Sequence, residues 1–369
     1  MRTPLSHDYV YVVAKQTFLR DRVAAVSNRT GTVDNGEALE VLERGRRFLR
    51  VKTAKGEQGW IDEKATAPQA VFDEFNALKQ QHRSDPTVAS AVVRDEVYLH
   101  AKPGRDTDRL YRLPEGDKLV LIRRATLPKA GPPQAKPVRS VDPAAKAVAG
   151  HVGSSTPPDA AAGVLPEPPP MEDWWLIRDQ DGRTGWLLSR MMDVDAPDAL
   201  TRYAEGQRIV GAYVLAKVND PEIEGDVKDV PEYVTVLSPY KAGLPYDFDQ
   251  IRVFIWNVKK HRYETAFRQR NVEGYLPVTV GMAADPYGKQ PSATIPAPTF
   301  TVRVLPADAP PVLPDPTTGA VVPSRTIQKT YRLLEGNLVR RVLAPGVQPP
   351  EEAHPEPEKE KPGKHHGRR

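Results

Sequence analysis

Cysteine is missing from all 369 residues, which removes disulfides, thiolate metal sites and cysteine nucleophiles from consideration. No apolar run approaches the ~18 residues that a membrane-spanning helix needs. The opening "MRTPLSHDYVYVV" carries one arginine and no apolar stretch before Tyr9, so it does not read as a signal peptide. Either the protein works in the cytoplasm or this sequence starts downstream of a removed leader. Charge of one sign is also lacking. The 52 basic and 48 acidic residues leave a net +4 spread along the chain, too weak to argue for nucleic acid. What abounds is proline, with 38 residues, about twice ordinary usage. Proline breaks helices and central strands, so this excess points to linkers between small β domains.

One pattern occurs twice. "FLRVKTAKGEQGW" at 48–60 returns as "WWLIRDQDGRTGW" at 174–186, and the register extends backward. Phe18-Leu19 falls on Tyr98-Leu99 and "GEALEVL" (36–42) on "GDKLVLI" (116–122), both at an offset of 80. Phe48-Leu49 then falls on Trp174-Trp175 at an offset of 126, so the second copy carries an insertion of 46 residues. Residues 127–170 account for it, with 11 prolines and no aromatic residue. Such a segment cannot bury a core and is expected to be a disordered loop. Within each copy, short runs alternate apolar and polar residues between glycine turns, the pattern of half-buried strands. Gly56 and Gly182 are placed to take positive φ in the hairpins "AKGEQG" and "DQDGRTG".

These motifs, in this order and twice in register, resemble the bacterial Src-homology-3-like (SH3-like) domain family. The carriers are "GTVDNGEALEVL", "FLRVKTAKGEQGWI", "VYLHAKPGRDTDRLYRLPEGDKLVLI" and "WWLIRDQDGRTGWLL". The family's Arg-Ser-Gly-Pro-like turn is altered in the second copy, where Lys102 precedes Pro103. It is missing from the first, which has Asp21-Arg22-Val23 there. The resemblance implies two small β-barrels over 9–66 and 90–195, binding cell-wall material or protein partners. The layout is similar to tandem SH3-domain proteins of the bacterial envelope, often lipid-anchored.

Between the copies, residues 67–89 form a connector. "TAPQAVFDEFNALKQQ" reads as a helix with a Thr66/Gln69 capping box and a stripe of Val71, Phe72, Phe75 and Leu78 packed on one barrel. From 197 to 343 the sequence changes to long strand-like runs, including hairpins around Lys259-Lys260-His261 and Glu335-Gly336-Asn337, and is expected to be a separate antiparallel β domain. The stretch 344–369, charged and without aromatics, is expected to be a disordered tail. The fold class expected is therefore mainly β: two SH3-like barrels joined by a short helix, then an antiparallel β domain.

Candidate chemistry is sparse. Ser238 and Lys241 have the Ser-x-x-Lys spacing of penicillin-recognising enzymes, but the accompanying Lys-Thr-Gly strand and α/β scaffold signals are absent. Asp247 and Asp249 are spaced as in some calcium loops, yet the glycine and later acid of such loops are missing, so a polar turn is expected. His261 is expected as a solvated hairpin-tip residue, and His365-His366 lies in the tail. No catalytic residue, metal site or cofactor is assigned. Binding is assigned to four aromatics. Trp60 and Trp186 close the Gly-Trp turns, where the family's tryptophan packs partly on the barrel. Phe48 and Trp174 alternate out of phase with core-facing Leu49/Val51 and Trp175/Ile177, so both are expected on the solvent face as a platform for glycan or peptide. The proline run "LPEPPP" (165–170) is read as a stiff spacer. The expected function is a non-enzymatic binding or scaffold protein of the bacterial cell envelope, engaging peptidoglycan or an envelope protein. An intracellular adaptor, or an enzyme with an unrecognised site in the C-terminal β region, are the alternatives.

Overall fold

The computed structural model describes residues 8–129, 169–289 and 291–355. It is mainly β, with every strand pair antiparallel, and no helix among the described residues is long and apolar enough to cross a membrane.

The first sheet contains β1 (Tyr9–Val12), β2 (Gln16–Arg20), β3 (Arg29–Asp34), β4 (Ala38–Arg44), β5 (Phe48–Lys52), β6 (Gln58–Asp62) and β7 (Thr66–Pro68), in the order β3-β2-β6-β5-β4-β1-β7. Helix α1 (Gln69–Gln81) follows. The second sheet contains β8 (Ala89–Val93), β9 (Val97–His100), β10 (Arg109–Leu113), β11 (Lys118–Pro128), β12 (Met171–Asp179), β13 (Thr184–Leu188) and β14 (Met192–Val194). Its order, β10-β9-β13-β12-β11-β8-β14, repeats the first strand for strand. The sequence repeat is thus a repeat of one sheet topology.

The Gly-Trp hairpin explains why the pattern returns. In the first copy Thr53 N–H donates to Glu57 O (2.9 Å), Gly56 N–H to Thr53 O (2.9 Å) and Glu57 N–H to Thr53 Oγ1 (3.2 Å). In the second, Asp179 and Arg183 replace Thr53 and Glu57 and make the same three bonds at 3.0, 3.1 and 2.8 Å. Gly56 and Gly182 take φ of 90° and 72°, conformations that side chains resist. The glycine before each tryptophan has a different cause. A Cβ on Gly59 would lie 2.7 Å from Leu19 Cβ, and one on Gly185 2.9 Å from Leu99 Cβ. The bare backbone is what lets the hairpin's second strand close against the strand that crosses it.

Leu19, Leu39, Leu49, Val51 and Ile61 fill the core of the first sheet. Leu99, Leu119, Trp175, Ile177 and Leu187 do so in the second. Helix α1 lies between the sheets rather than on one of them. Val71 and Phe75 enter the core beside the second sheet, while Phe72 stacks on Tyr11 of β1 (4.0 Å between centroids). The expected capping box does not form. Thr66 belongs to β7 and its hydroxyl donates to Glu63 O, while Gln69 Oε1 accepts from the Tyr11 hydroxyl. Asn35 joins the two sheets directly, donating to Val13 O and Leu110 O and accepting from Arg112 N–H.

Beyond a short helix, α2 (Asp198–Thr201), two four-stranded sheets face each other across a continuation of the same core. One is β15 (Ile209–Asn219), β16 (Asp229–Leu237), β17 (Gln250–Asn257) and β18 (Arg262–Gln269). The other is β19 (Gly274–Ala283), β20 (Ala297–Val304), β21 (Ile327–Leu334) and β22 (Leu338–Arg341). Val234, Val236, Ile251 and Val253 of one meet Phe300, Val302 and Tyr331 of the other. Both hairpins expected from the sequence are present, as β17–β18 and β21–β22.

Two boundaries change. Leu127 and Pro128, assigned to the disordered insertion, pair with Glu172 and Met171 as the extension of β11 and β12, and Lys129 N–H donates to Pro170 O. Residues 130–168 lie outside the described residues. Residues 344–355, assigned to a disordered tail, run back across the β20–β21 region. Ala353 N–H donates to Leu305 O, and Glu352 pairs with Lys329 at 2.7 Å. Lys329 is buried, so a carboxylate there offsets the cost of an ammonium out of water. Residues 356–369, with His365-His366, lie outside the described residues.

Candidate functional site

Cross-strand register sets five side chains in a row on the outer face of the first sheet. Arg29 on β3 faces Arg20 on β2, Arg20 faces Trp60 on β6, Trp60 faces Arg50 on β5, and Arg50 faces Glu43 on β4. Residues paired this way point to the same side of a sheet. Phe48, two residues before Arg50, faces Asp62 on the same side. Arg29 stacks on Phe18, 3.7 Å from the ring centroid, and Arg20 donates to Ser27 Oγ at 3.0 Å. Arg46, Arg47 and Arg50 have no ion-pair partner among the described residues. Trp60 and Phe48 are half-buried, and the three arginines of the row are exposed. At the rim, the β2–β3 loop exposes Val23 by 52% and Val26 by 81%.

The second sheet has the same row with different residues: Arg109, His100, Trp186, Leu176 and Arg123. Arg109 again stacks on an aromatic ring, that of Tyr98, at 4.8 Å. Here the centre is closed. Trp186 is 8% exposed and Leu176 fully buried, in a cluster with Ile122, Ala125 and Trp174. Leu78, from the last turns of α1, packs on that cluster. The turn after α1 completes the cover: Arg178 donates to His82 O, and Arg123 pairs with Asp85 at 3.4 Å. Burial, then the nearby Arg109 charge, lowers the His100 pKa from its ordinary value.

The four aromatics singled out in the sequence therefore separate by copy. Phe48 and Trp60 stand together on the open face. Trp174, expected on a solvent face, is 2% exposed, because it contacts His100 edge-on (5.2 Å between centroids) and joins the cluster under Leu78. Trp186 is buried with it. Alternation assigned the face correctly, but a second layer covers that face in copy two. Arg20, Arg29 and Arg50 were not singled out. The signal for them was the basic run "RGRRFLR" (44–50) together with the strand register.

The other candidate residues serve internal packing. Asp247 is not in a solvated turn. Its Oδ1 accepts from Arg124 Nε (2.8 Å) and its Oδ2 from Leu276 N–H (2.8 Å), between buried Tyr246 and Phe248. Arg124 also pairs with Asp173 at 3.1 Å and donates to Leu244 O, clamping the second sheet to the region beyond it. Asp249 accepts from Gln207 instead, so the two carboxylates do not share a ligand position. Ser238 and Lys241 line a cleft of about 250 Å³ at this junction, where Ser238 O accepts from Gln207 and no histidine lies among the lining residues. His261 is not free at its hairpin tip. Its Nδ1 meets Asp220 at 2.8 Å and its Nε2 meets Glu222 at 3.1 Å, and these carboxylates, Asp220 first, raise its pKa. Among the described residues, no group of three metal-ligating side chains converges.

No family model matches the chain, and no curated protein matches it. Two solved structures that it matches are NlpC2 and NlpC1 from Trichomonas vaginalis. They share 8% and 9% identity with this chain, cover 60% and 61% of it, and have TM-scores of 0.15. The chain spans 61% and 60% of their own lengths. These two structures are too distant for their likeness to carry an argument about fold or activity.

Proposed function

We propose that the chain is a non-enzymatic binding or scaffold protein of the bacterial cell envelope, built on two SH3-like domains and a larger antiparallel β region. One observation carries the reading. The outer face of the first sheet offers half-exposed Phe48 and Trp60 beside arginines that have no ion-pair partner among the described residues, whereas the equivalent face of the second sheet is consumed by internal packing. Aromatic surface beside unpaired guanidinium groups suits a ligand that brings both apolar and anionic groups. The division of labour is then one copy for binding and one for holding the assembly together.

Co-sedimentation with purified peptidoglycan and with solubilised envelope protein tests this. The wild-type chain should be retained, and the Phe48→Ala/Trp60→Ala double variant should lose retention while keeping its circular dichroism spectrum. Equal retention of both proteins, or none of either, would overturn the proposal.

A further inference from the structure

The geometry points to an acidic amphipathic helix of a partner protein as the occupant of the Arg20–Trp60–Arg50 face, an inference that rests on the binding face proposed above.

The argument starts from the second sheet, where the chain shows what this position accepts. The tryptophan at the centre of the row is covered there by the end of a helix and the turn that follows it. Contact is made by one apolar side chain, Leu78, and the edge is fixed by one carboxylate, Asp85, on Arg123. In the first sheet the tryptophan is kept while its surroundings change sign. Leu176 becomes Arg50, His100 becomes Arg20, and Leu188 becomes Asp62. A helix seated there would meet two guanidinium groups flanking an indole, so it needs carboxylates on either side of an apolar stripe. The two guanidinium groups stand two strand spacings apart, about 10 Å, which residues seven apart on one helix match. Glu43 lies opposite Arg50 in register but does not come within ion-pair distance, so among the described residues no carboxylate competes with a partner's for Arg50. Val23 and Val26 add an exposed apolar strip in the β2–β3 loop, at the Arg20–Arg29 end of the row. Exposed valines serve a partner with an apolar face and are of no use to a simple polyanion. The same strip differs in the second copy, where the corresponding loop reads "AKPGRDTD" (101–108).

Two 13-residue stapled peptides make the test, each carrying the Val71, Phe75 and Leu78 stripe of α1, itself 13 residues long. One has glutamate at the remaining solvent positions and the other has lysine. Calorimetric titration into the full chain should give at least about tenfold tighter binding of the glutamate peptide. Trp60→Ala should abolish that binding, and Trp60→Phe should keep part of it. The exposed pair Arg20→Glu/Arg50→Glu, checked for an unchanged melting temperature, should reverse the preference. Equal affinity for both peptides, or an unchanged preference in the charge-reversed variant, overturns the inference. Binding of poly-glutamate or heparin to the same residues without peptide binding also overturns it and makes the face a polyanion site. If no peptide binds while Phe48→Ala/Trp60→Ala still abolishes envelope retention, the binding face stands and the helix does not. If retention ignores that double variant, both fall.

Discussion

The two seven-stranded sheets share one strand order, one hairpin and one row of cross-strand pairs, yet they present opposite surfaces. Around the central tryptophan, the second copy has His100, Leu176 and Leu188 where the first has Arg20, Arg50 and Asp62. In the second, those exchanges let Leu78 of α1 and the turn after it, through Asp85 on Arg123, bury the face. In the first, the guanidinium groups keep it hydrated. One sheet topology thus carries a covered face in one copy and an open face in the other through a few exchanges on a single side, with the core positions kept apolar. The lesson is that the core pattern identifies the repeat, while the role of each copy resides in the layer outside it.

The largest contrast should appear in paired truncations. Trp174→Ala should cost on the order of 3–5 kcal/mol in urea denaturation, as full aromatic truncations in packed surroundings do. Phe48→Ala, at the equivalent position, should cost about 0.5–1 kcal/mol because little surface leaves the interior. Comparable losses would mean that the first face is also covered. Where the copies should agree is the glycine before each tryptophan. Gly59→Ala and Gly185→Ala should each destabilise by about 1–3 kcal/mol, since both new methyl groups meet the crossing strand. A tolerated substitution in one copy alone would break the structural equivalence.

A pH titration sharpens the comparison at one pair of positions. His100 is buried and its pKa is lowered, so the native state binds fewer protons than the unfolded chain. Stability of the second sheet should therefore fall as pH drops from the ordinary histidine range toward the depressed native value. The matching position in the first sheet holds Arg20 in place of a histidine, and His100→Gln should flatten the dependence. His261 has the opposite sign, because its carboxylate partners favour the protonated ring. Its contribution is fully present below the unfolded pKa and is lost as pH rises through the raised native one. Histidine resonances followed by NMR should show the two midpoints on opposite sides of the ordinary 6.5. The smallest effect is expected from removing the insertion. Replacing 130–168 with an Asn-Gly turn should leave the melting temperature within a few degrees, because β11 and β12 already pair up to Pro128 and Met171. A larger drop would give the insertion a structural role that the first copy does without.

Much of this was legible in the sequence because it is local. Alternation, glycine turns and the Gly-Trp register each involve residues within one hairpin, and they specified the strands and the orientation of Phe48, Leu49, Trp174 and Trp175. What escaped is contact across long separations. Alternation places Trp174 outward but cannot see Leu78, about a hundred residues earlier, lying on the same cluster. Nor can a pair of spaced aspartates announce that one of them meets Arg124 across 123 residues. The charged composition of 344–369 suggested solvation, whereas one of its carboxylates, Glu352, answers a buried lysine.

That last pairing has a consequence in time. Lys329 leaves the ribosome 23 residues ahead of Glu352. At ~5–20 residues per second, those 23 residues take seconds to synthesise. Burial lowers the Lys329 pKa, and the Glu352 carboxylate opposes that shift. The segment carrying Glu352 is therefore synthesised only after every strand of the sheet it closes on.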